Sequence, residues 1–200
     1  MMIVDVEIEG VTAYLMRRFT DQDAEDASKG SRNVLVVRGT PREEADKSVY
    51  RNASGELYFP GAAIGRLLRE AGGAHKMKGS RKSAKYLVPA AVIVLDDAII
   101  FRDGQGKPIK DYEVDSRPVT IPATKGRIMR HRPRLDEWRA TFSIRVNPKI
   151  LPVELIHRLL QDGGEQNGIG DFRPERGGPF GVFRVIHWTE QPKDVRTAAE

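Results

Sequence analysis

Residues 163–181 combine glycine and arginine in a way that suits the binding of phosphate groups. Seven of these 19 residues are glycine, and Arg173 and Arg176 lie among them. Glycine lets main-chain N–H groups approach a phosphate closely, and arginine matches two phosphate oxygens with its fork of donors. The run follows a predicted helix and lacks Gly-Lys-Ser/Thr, unlike a dinucleotide fingerprint or a P-loop. We predict phosphate contacts at Gly168, Gly170, Arg173 and Arg176, with a flexible surface loop as the alternative.

Two further segments concentrate positive charge and contain no carboxylate. Within residues 71–85 the cations are Lys76, Lys78, Arg81, Lys82 and Lys85. Within residues 117–134 they are Arg117, Lys125, Arg127, Arg130, Arg132 and Arg134, with His131 beside them. Like charges repel one another unless a polyanion neutralises them, so both runs are predicted to contact nucleic acid. Proline, threonine and glycine in the second run indicate an extended arm or hairpin, and solvated loops are the alternative for both.

Composition excludes several classes of protein. The chain has 200 residues, 40% of them hydrophobic, a formal net charge of +5 and no cysteine. Disulfide scaffolds, cysteine nucleophiles and thiolate metal sites are therefore excluded. No Ser/His/Asp arrangement or His-x-x-x-His pair indicates a hydrolase or zinc site, and we expect neither a metal nor a cofactor. Without a signal peptide or a long apolar run, a soluble cytoplasmic protein with no membrane partner is expected.

Hydrophobic periodicity gives the elements that must position these residues. Alternation from Val4 to Ile8 predicts a half-buried strand, which we extend to Leu15. A helix over residues 61–71 is predicted to end at Gly72. Further elements are a buried strand over 86–101, a strand over 138–146, a helix from Pro152 that ends at Gly163-Gly164, and a last strand over 181–188.

The resulting order is β-α-β-β-α-β, which is typical of an α+β, ferredoxin-like (RRM-like) fold. We expect one domain over residues 1–190, with long insertions at about 19–58 and 103–135 and a flexible tail over 191–200. Trp138 and Phe142 share a strand face, and we assign them to the core. Binding is therefore expected to follow the phosphate backbone with little reading of bases.

The helix, glycine-rich segment and final strand, in this order, resemble the RAMP superfamily of CRISPR-associated RNA-binding proteins. Residues 55–69 (GELYFPGAAIGRLLR) are similar to the Pro-Gly-Ser-Ser-Leu-Lys-Gly-x-x-Arg opening of the first helix in backbone, crRNA-coating subunits. Ala62 and Ala63 replace the hydroxyl pair, so the N–H groups at the helix start would serve instead. The resemblance adds Arg66 and Arg69 to the candidate nucleic-acid contacts. It also implies that the basic arm is a β-hairpin thumb.

The resemblance also raises the question of catalysis. Some backbone RAMP subunits cut target RNA with an aspartate in the loop after the first strand, where this chain has Asp21, Asp23 and Asp26. A solvated acidic loop is the interpretation we favour, and we do not expect an enzyme. Some processing subunits use a histidine base, but His157 is predicted to be structural and His131 to be solvated or in contact with nucleic acid.

Three functions stay open at this point. The first is a subunit of a CRISPR-like ribonucleoprotein that coats single-stranded RNA (crRNA included) or DNA. Its expected partners are copies of itself, in a filament, and other CRISPR-type subunits. The second is an RNA endonuclease that uses the loop aspartates. The third is a protein-interaction homologue that interferes with a CRISPR complex.

Overall fold

Two antiparallel sheets and four α-helices make up the described part of the chain. The computed structural model describes residues 1–18, 39–77, 79, 81–120 and 126–191. The strands are β1 (Met2–Gly10), β2 (Tyr14–Leu15), β3 (Tyr58–Pro60), β4 (Val92–Val94), β5 (Ala98–Arg102), β6 (Glu113–Thr120), β7 (Arg127–Leu135), β8 (Arg139–Val146) and β9 (Phe183–Glu190). The helices are α1 (Pro41–Lys47), α2 (Ala62–Ala71), α3 (Val88–Ala91) and α4 (Val153–Gln166). Within these ranges no helix is long and apolar enough to span a membrane.

The larger sheet has the strand order β3-β5-β8-β1-β9, and β4 also pairs with β8. Because β4 and β5 pair with different ends of β8, they share one position beside that strand. β1 lies between β8 and β9 and is antiparallel to both. The core of the chain therefore runs β1-α2-β4/β5-β8-α4-β9, and the predicted ferredoxin-like α+β order is confirmed.

Helices α2 and α4 pack against each other over the core of this sheet. Along β1 every second residue from Val4 to Ile8 is buried, as its period-two pattern predicts. The apolar face of α2 is buried as predicted, and α4 buries its own aliphatic face against α2 and β9. Trp138 and Phe142 are each 2% exposed, so their assignment to the core agrees with the structure.

The first strand ends earlier than predicted. β1 stops at Gly10, and the predicted extension to position 15 instead contains β2, which belongs to the second sheet. The strand ends where it packs closely on Trp138, since a Cβ atom on Gly10 would lie 2.3 Å from Nε1 of that ring. The N–H groups of Val11 and Thr12 then both donate to the carbonyl of Val182, which bends the chain out of the sheet.

Residues 86–101 do not form the single buried strand that was predicted. The segment contains the end of a 3₁₀-helix (Ala84–Tyr86), then α3, β4 and β5. An unbroken apolar run has no periodicity that distinguishes a turn of helix from a strand. The prediction of a single strand was wrong for that reason. Between β4 and β5, the carboxylate of Asp96 accepts a hydrogen bond from the N–H of Ser143 in β8 at 2.7 Å.

Helix α4 continues past the glycine pair at which it was predicted to end. Both glycines are buried inside the helix, which runs on to Gln166. A Cβ atom on Gly163 would lie 2.6 Å from Cδ2 of Leu67, and one on Gly164 would lie 2.6 Å from the carbonyl oxygen of Phe183. The pair therefore allows close contact with α2 and β9, and it does not terminate the helix.

The second sheet contains the basic hairpin. Its strand order is β2-β7-β6, and β6 and β7 are paired from Glu113 opposite Arg134 to Thr120 opposite Arg127. The β-hairpin predicted for the basic arm is therefore present. Helix α1, which begins with a capping box between Thr40 and Glu43, packs against both strands.

The packing of α4 leads to a stability prediction. Gly164→Ala lowers the free energy of unfolding by about 1–3 kcal/mol, because the added methyl group overlaps Phe183. Gly65→Ala in α2 is the matched control, since nothing lies within 4 Å of its Cβ position. That control raises the free energy of unfolding by about 0.5–1 kcal/mol through helix propensity. Chemical denaturation measures both, and a stabilising Gly164→Ala would contradict the packing role.

Candidate nucleic-acid interface

An open groove of about 440 Å³ lies between the start of α2 and the glycine-rich loop, which we define as residues 167–181. The first turn of α2 forms one wall and the loop forms the other. The lining residues are Tyr14, Arg17, Tyr50, Pro60, Ala62, Ala63, Arg66, Leu67, Gly168, Ile169, Gly170, Asp171, Arg173 and Glu175. The N-cap residue Gly61 makes no side-chain cap, and Ala62 and Ala63 of the first turn line the groove, so the N–H end of the helix dipole lies beside it and suits an anion.

Arg66, Arg173 and Glu175 form a charged cluster that joins the two walls. Oε1 of Glu175 accepts a hydrogen bond from Arg66 at 3.1 Å, and Oε2 accepts two from Nε and Nη2 of Arg173 at 2.9 and 2.7 Å. Partial burial raises the pKa of Glu175, but the hydrogen bond from Arg173 and the charges of the nearby arginines outweigh it and hold the pKa below its ordinary value. Glu175 is therefore ionised at neutral pH.

The glycines of the loop make room for neighbouring protein atoms. Gly170 has a φ of +85°, and a Cβ atom there would lie 2.7 Å from the carbonyl oxygen of Leu15 and from the ring of Tyr14. At Gly168 the same atom would lie 2.9 Å from Pro174. Both glycines line the groove, but protein fills the space that their missing side chains leave. We therefore assign them to positioning the loop, and the phosphate contacts predicted for them stay a prediction.

The basic hairpin rests on the same loop. Nε of Arg132 lies 2.7 Å from Oδ2 of Asp171, and the Arg132 side chain is 9% exposed. Neither atom is aligned for a hydrogen bond within the described residues, so the contact is an ion pair. The guanidinium of Arg117 lies over the ring of Phe180, 4.5 Å from its centre. Arg132 was predicted as a nucleic-acid contact, whereas its burial indicates that it joins the hairpin to the loop.

Carboxylates from outside the basic run neutralise the base of the hairpin. Asp115, whose side chain is 4% exposed, lies 2.8 Å from Nε of Arg117 and 3.9 Å from Nη1 of Arg134. Asp136 pairs with Arg134 from the other side. The basic run itself contains no carboxylate. Asp115 and Asp136, which lie just outside it, supply the carboxylates that pair with its arginines.

Residues in the outer part of the hairpin remain candidates for contact with nucleic acid. Arg127 is exposed on β7, and Arg130 lies opposite Arg117 in the register of the two strands. Nδ1 of His131 and Oγ of Ser116 share a hydrogen bond of 2.7 Å. These side chains belong to the second sheet and do not line the groove.

The basic segment after α2 forms a separate surface. Lys76, Arg81 and Lys82 are exposed in the loop between α2 and α3, and none of them lines the groove. Its start is fixed to α4, because Nε2 of His75 lies within 2.9 Å of Oδ2 of Asp162. Arg69, on α2, pairs with the adjacent Glu70 at 3.2 Å and also lies outside the groove.

The open face of the larger sheet is unsuited to base stacking. The outward residues of β1 include Asp5, Glu7 and Glu9, and those of the adjacent β8 are Arg139, Thr141, Ser143 and Arg145, so neither central strand shows an outward aromatic. Hydrogen bonds from Arg184 and Arg139 lower the pKa of Glu9. Glu9 pairs with both of these arginines, so positive and negative side chains alternate on this face.

Five predicted residues lie outside the described ranges. These are Asp21, Asp23, Asp26, Lys78 and Lys125. In the ranges that are described, no group of three or more histidine, aspartate or glutamate side chains could hold a metal ion.

Comparison with known proteins was informative only at the level of structure. No protein-family model and no curated protein matches the sequence. A chain from a cryo-EM structure of the Type III-B Cmr-beta bound to cognate target RNA is 13% identical, with a TM-score of 0.51, and the match covers 94% of this chain and 60% of that one. The chain shares the fold of this neighbour. This confirms the predicted resemblance for the fold, although the chain spans only about 60% of the length of that neighbour.

Two further solved structures are similar to this chain. One is a chain of a Type IV-B CRISPR complex, with 13% identity and a TM-score of 0.47, covering 98% of this chain and 93% of that one. The other is Cmr6 from Pyrococcus furiosus, with 11% identity and a TM-score of 0.47, covering 91% and 97%.

The fold brings together only part of the predicted site. Arg66 from the helix opening and Gly168, Gly170 and Arg173 from the loop meet in the groove, while Arg176 lies in the 3₁₀-helix (Pro174–Arg176) beside it. The polar lining residues that the sequence did not single out are Tyr14, Arg17, Tyr50, Asp171 and Glu175. Position in the sequence could have indicated the last two, since they flank Arg173 at a spacing of two.

The contact between hairpin and loop can be tested through stability. Arg132→Ala lowers the free energy of unfolding by about 1–3 kcal/mol, because it leaves the partly buried Asp171 without its counter-ion. Arg127→Ala, which removes an exposed arginine from the same strand, changes it by about 0.5 kcal/mol or less. Urea denaturation compares the two variants. Equal, small effects would show that the ion pair does not hold the hairpin.

Proposed function

We propose that this chain is a subunit of a CRISPR ribonucleoprotein and that it binds single-stranded RNA through the phosphate backbone, in the groove between α2 and the glycine-rich loop. The convergence of an uncapped helix start with Arg17, Arg66 and Arg173 in one open groove carries the proposal. The neighbour that shares the fold over 94% of this chain is described as bound to cognate target RNA, which supports RNA as the ligand.

The chemistry of the groove favours a strand over a closed-pocket ligand. Helix N–H donors and arginine forks both recognise phosphate oxygens and carry no sequence information. Tyr50 lines the groove, 5.5 Å between ring centres from Tyr58, and provides an aromatic surface on which a base can stack.

The outer part of the hairpin is the second contact that we propose. Arg127 is exposed there, and Arg130 and His131 lie on the same strand. A strand that leaves the groove past the loop meets the hairpin next, because Arg132 and Asp171 join these two parts. The predicted assembly with copies of itself or with other CRISPR-type subunits stays a prediction.

Arg66→Ala tests the groove directly. It weakens binding of a labelled, unstructured RNA oligonucleotide by roughly tenfold, because one charge-assisted phosphate contact is lost. Fluorescence anisotropy measures the dissociation constant. Arg158→Ala is the control, since Arg158 is exposed on α4 and does not line the groove. Equal affinities of the two variants would contradict the assignment of the groove.

Salt dependence tests the nature of the contact. The logarithm of the association constant falls with the logarithm of salt concentration by roughly 0.7 for each neutralised phosphate of a single strand, and Arg66→Ala reduces that slope by about one such increment. A flat salt response of the native protein would overturn phosphate recognition. Tighter binding of the matching DNA oligonucleotide would make DNA the ligand.

A further inference from the structure

One acidic side chain stands where the proposed ligand would bind. The carboxylate of Glu175 is 3.1 Å from Nη2 of Arg66, on the wall formed by α2, and 2.7 Å from Nη2 of Arg173, on the loop. A phosphate placed between these two arginines would present its oxygens to the same donors. Glu175 therefore occupies the anion position in the groove, and this position spans both walls.

We propose that Glu175 is an intramolecular competitor of the RNA phosphate, which keeps Arg66 and Arg173 occupied until a strand displaces it. The inference rests on the proposed function, because it assigns regulation to the same groove. It goes further in specifying which ligands the groove admits.

The hydrogen bonds that Arg173 donates indicate that Glu175 competes with a phosphate and does more than orient the arginine. Its Nε and Nη2 both donate to Glu175, and its Nη1 donates to the carbonyl of Gly170 at 2.8 Å. With a side chain that is 14% exposed, Arg173 has little surface left for another anion. A phosphate reaches the Nε–Nη2 edge of Arg173 only when the carboxylate leaves, and an adjacent carboxylate repels it until then.

The local backbone permits that displacement. Glu175 lies in a three-residue 3₁₀-helix, which ends at Gly177 with a φ of +75°. Nothing lies within 4 Å of the Cβ position of Gly177, so the turn is open on that side, while the N–H groups of Gly177 and Gly178 donate to the carbonyls of Pro174 and Arg173. The Glu175 side chain is itself 26% exposed, and rotation toward solvent frees both arginines without unfolding the loop.

Competition of this kind selects for polyanions. A single phosphate replaces one carboxylate with one anion and gains little, so free phosphate and mononucleotides are poor ligands. A strand brings further phosphates, which contact Arg17, the start of α2 and the hairpin at the same time. Those contacts supply the free energy that displaces Glu175.

Glu175→Gln tests the proposal, because it removes the charge and keeps the shape. The variant binds the RNA oligonucleotide roughly three- to tenfold more tightly than the native protein in anisotropy measurements. Inorganic pyrophosphate, assayed by its effect on the melting temperature, stabilises Glu175→Gln and leaves the native protein unchanged. Glu154→Gln is the matched control. Glu154 is exposed at the start of α4, the end of that helix away from the glycine-rich loop, and its substitution changes the net charge by the same amount.

The two readouts separate the two claims. RNA affinity that stays equal or falls in Glu175→Gln, with no response to pyrophosphate, would overturn the competitor role and indicate that Glu175 orients the arginines. An equal gain in Glu154→Gln would overturn it as well, because the effect would then come from net charge. If neither the native protein nor Glu175→Gln binds RNA, the proposed function fails, and the pyrophosphate response alone decides the role of Glu175.

Discussion

Two main-chain hydrogen bonds between residues 13–15 and the glycine-rich loop fix the arrangement on which the candidate interface depends. The N–H of Asp171 donates to the carbonyl of Leu15, and the N–H of Gly181 donates to the carbonyl of Ala13, each at 2.8 Å. The first of these acceptors belongs to β2 in the smaller sheet, while the loop itself leads into β9 of the larger sheet. The loop is thereby held to both sheets at once, opposite the start of α2. Its glycines are the condition for this close approach.

Much of the fold could be predicted from hydrophobic patterns that are local in the sequence. The alternation along β1 and the helical period of α2 both report burial on one face, and the structure agrees with each. The errors have a different origin. Gly163 and Gly164 look like a helix end, yet their role is set by Leu67 and Phe183, which are distant in sequence. Close packing between elements has no local signal, so a single sequence does not reveal it.

The site was less predictable than the fold, for an electrostatic reason. Runs of like charge are visible in the sequence, but the partners that neutralise them are chosen by the fold. Asp115 and Asp171 lie outside the basic run and still pair with it, while Glu175 pairs with Arg173 of the loop and with Arg66 of α2. That Arg66 and Arg173 lie in one groove could be predicted from the order of the helix and the loop along the chain. Their charge alone did not indicate it.

The loop carries two neighbouring residues with different partners. Asp171 pairs with Arg132 of the hairpin, and Arg173 faces the groove two residues later. A ligand that shifts this short stretch therefore changes the separation of the ion pair, and a hairpin that is pulled aside acts on the groove in return. Thermodynamic linkage would make such a relation reciprocal. Any coupling between the groove and the hairpin would therefore pass through the three residues 171–173.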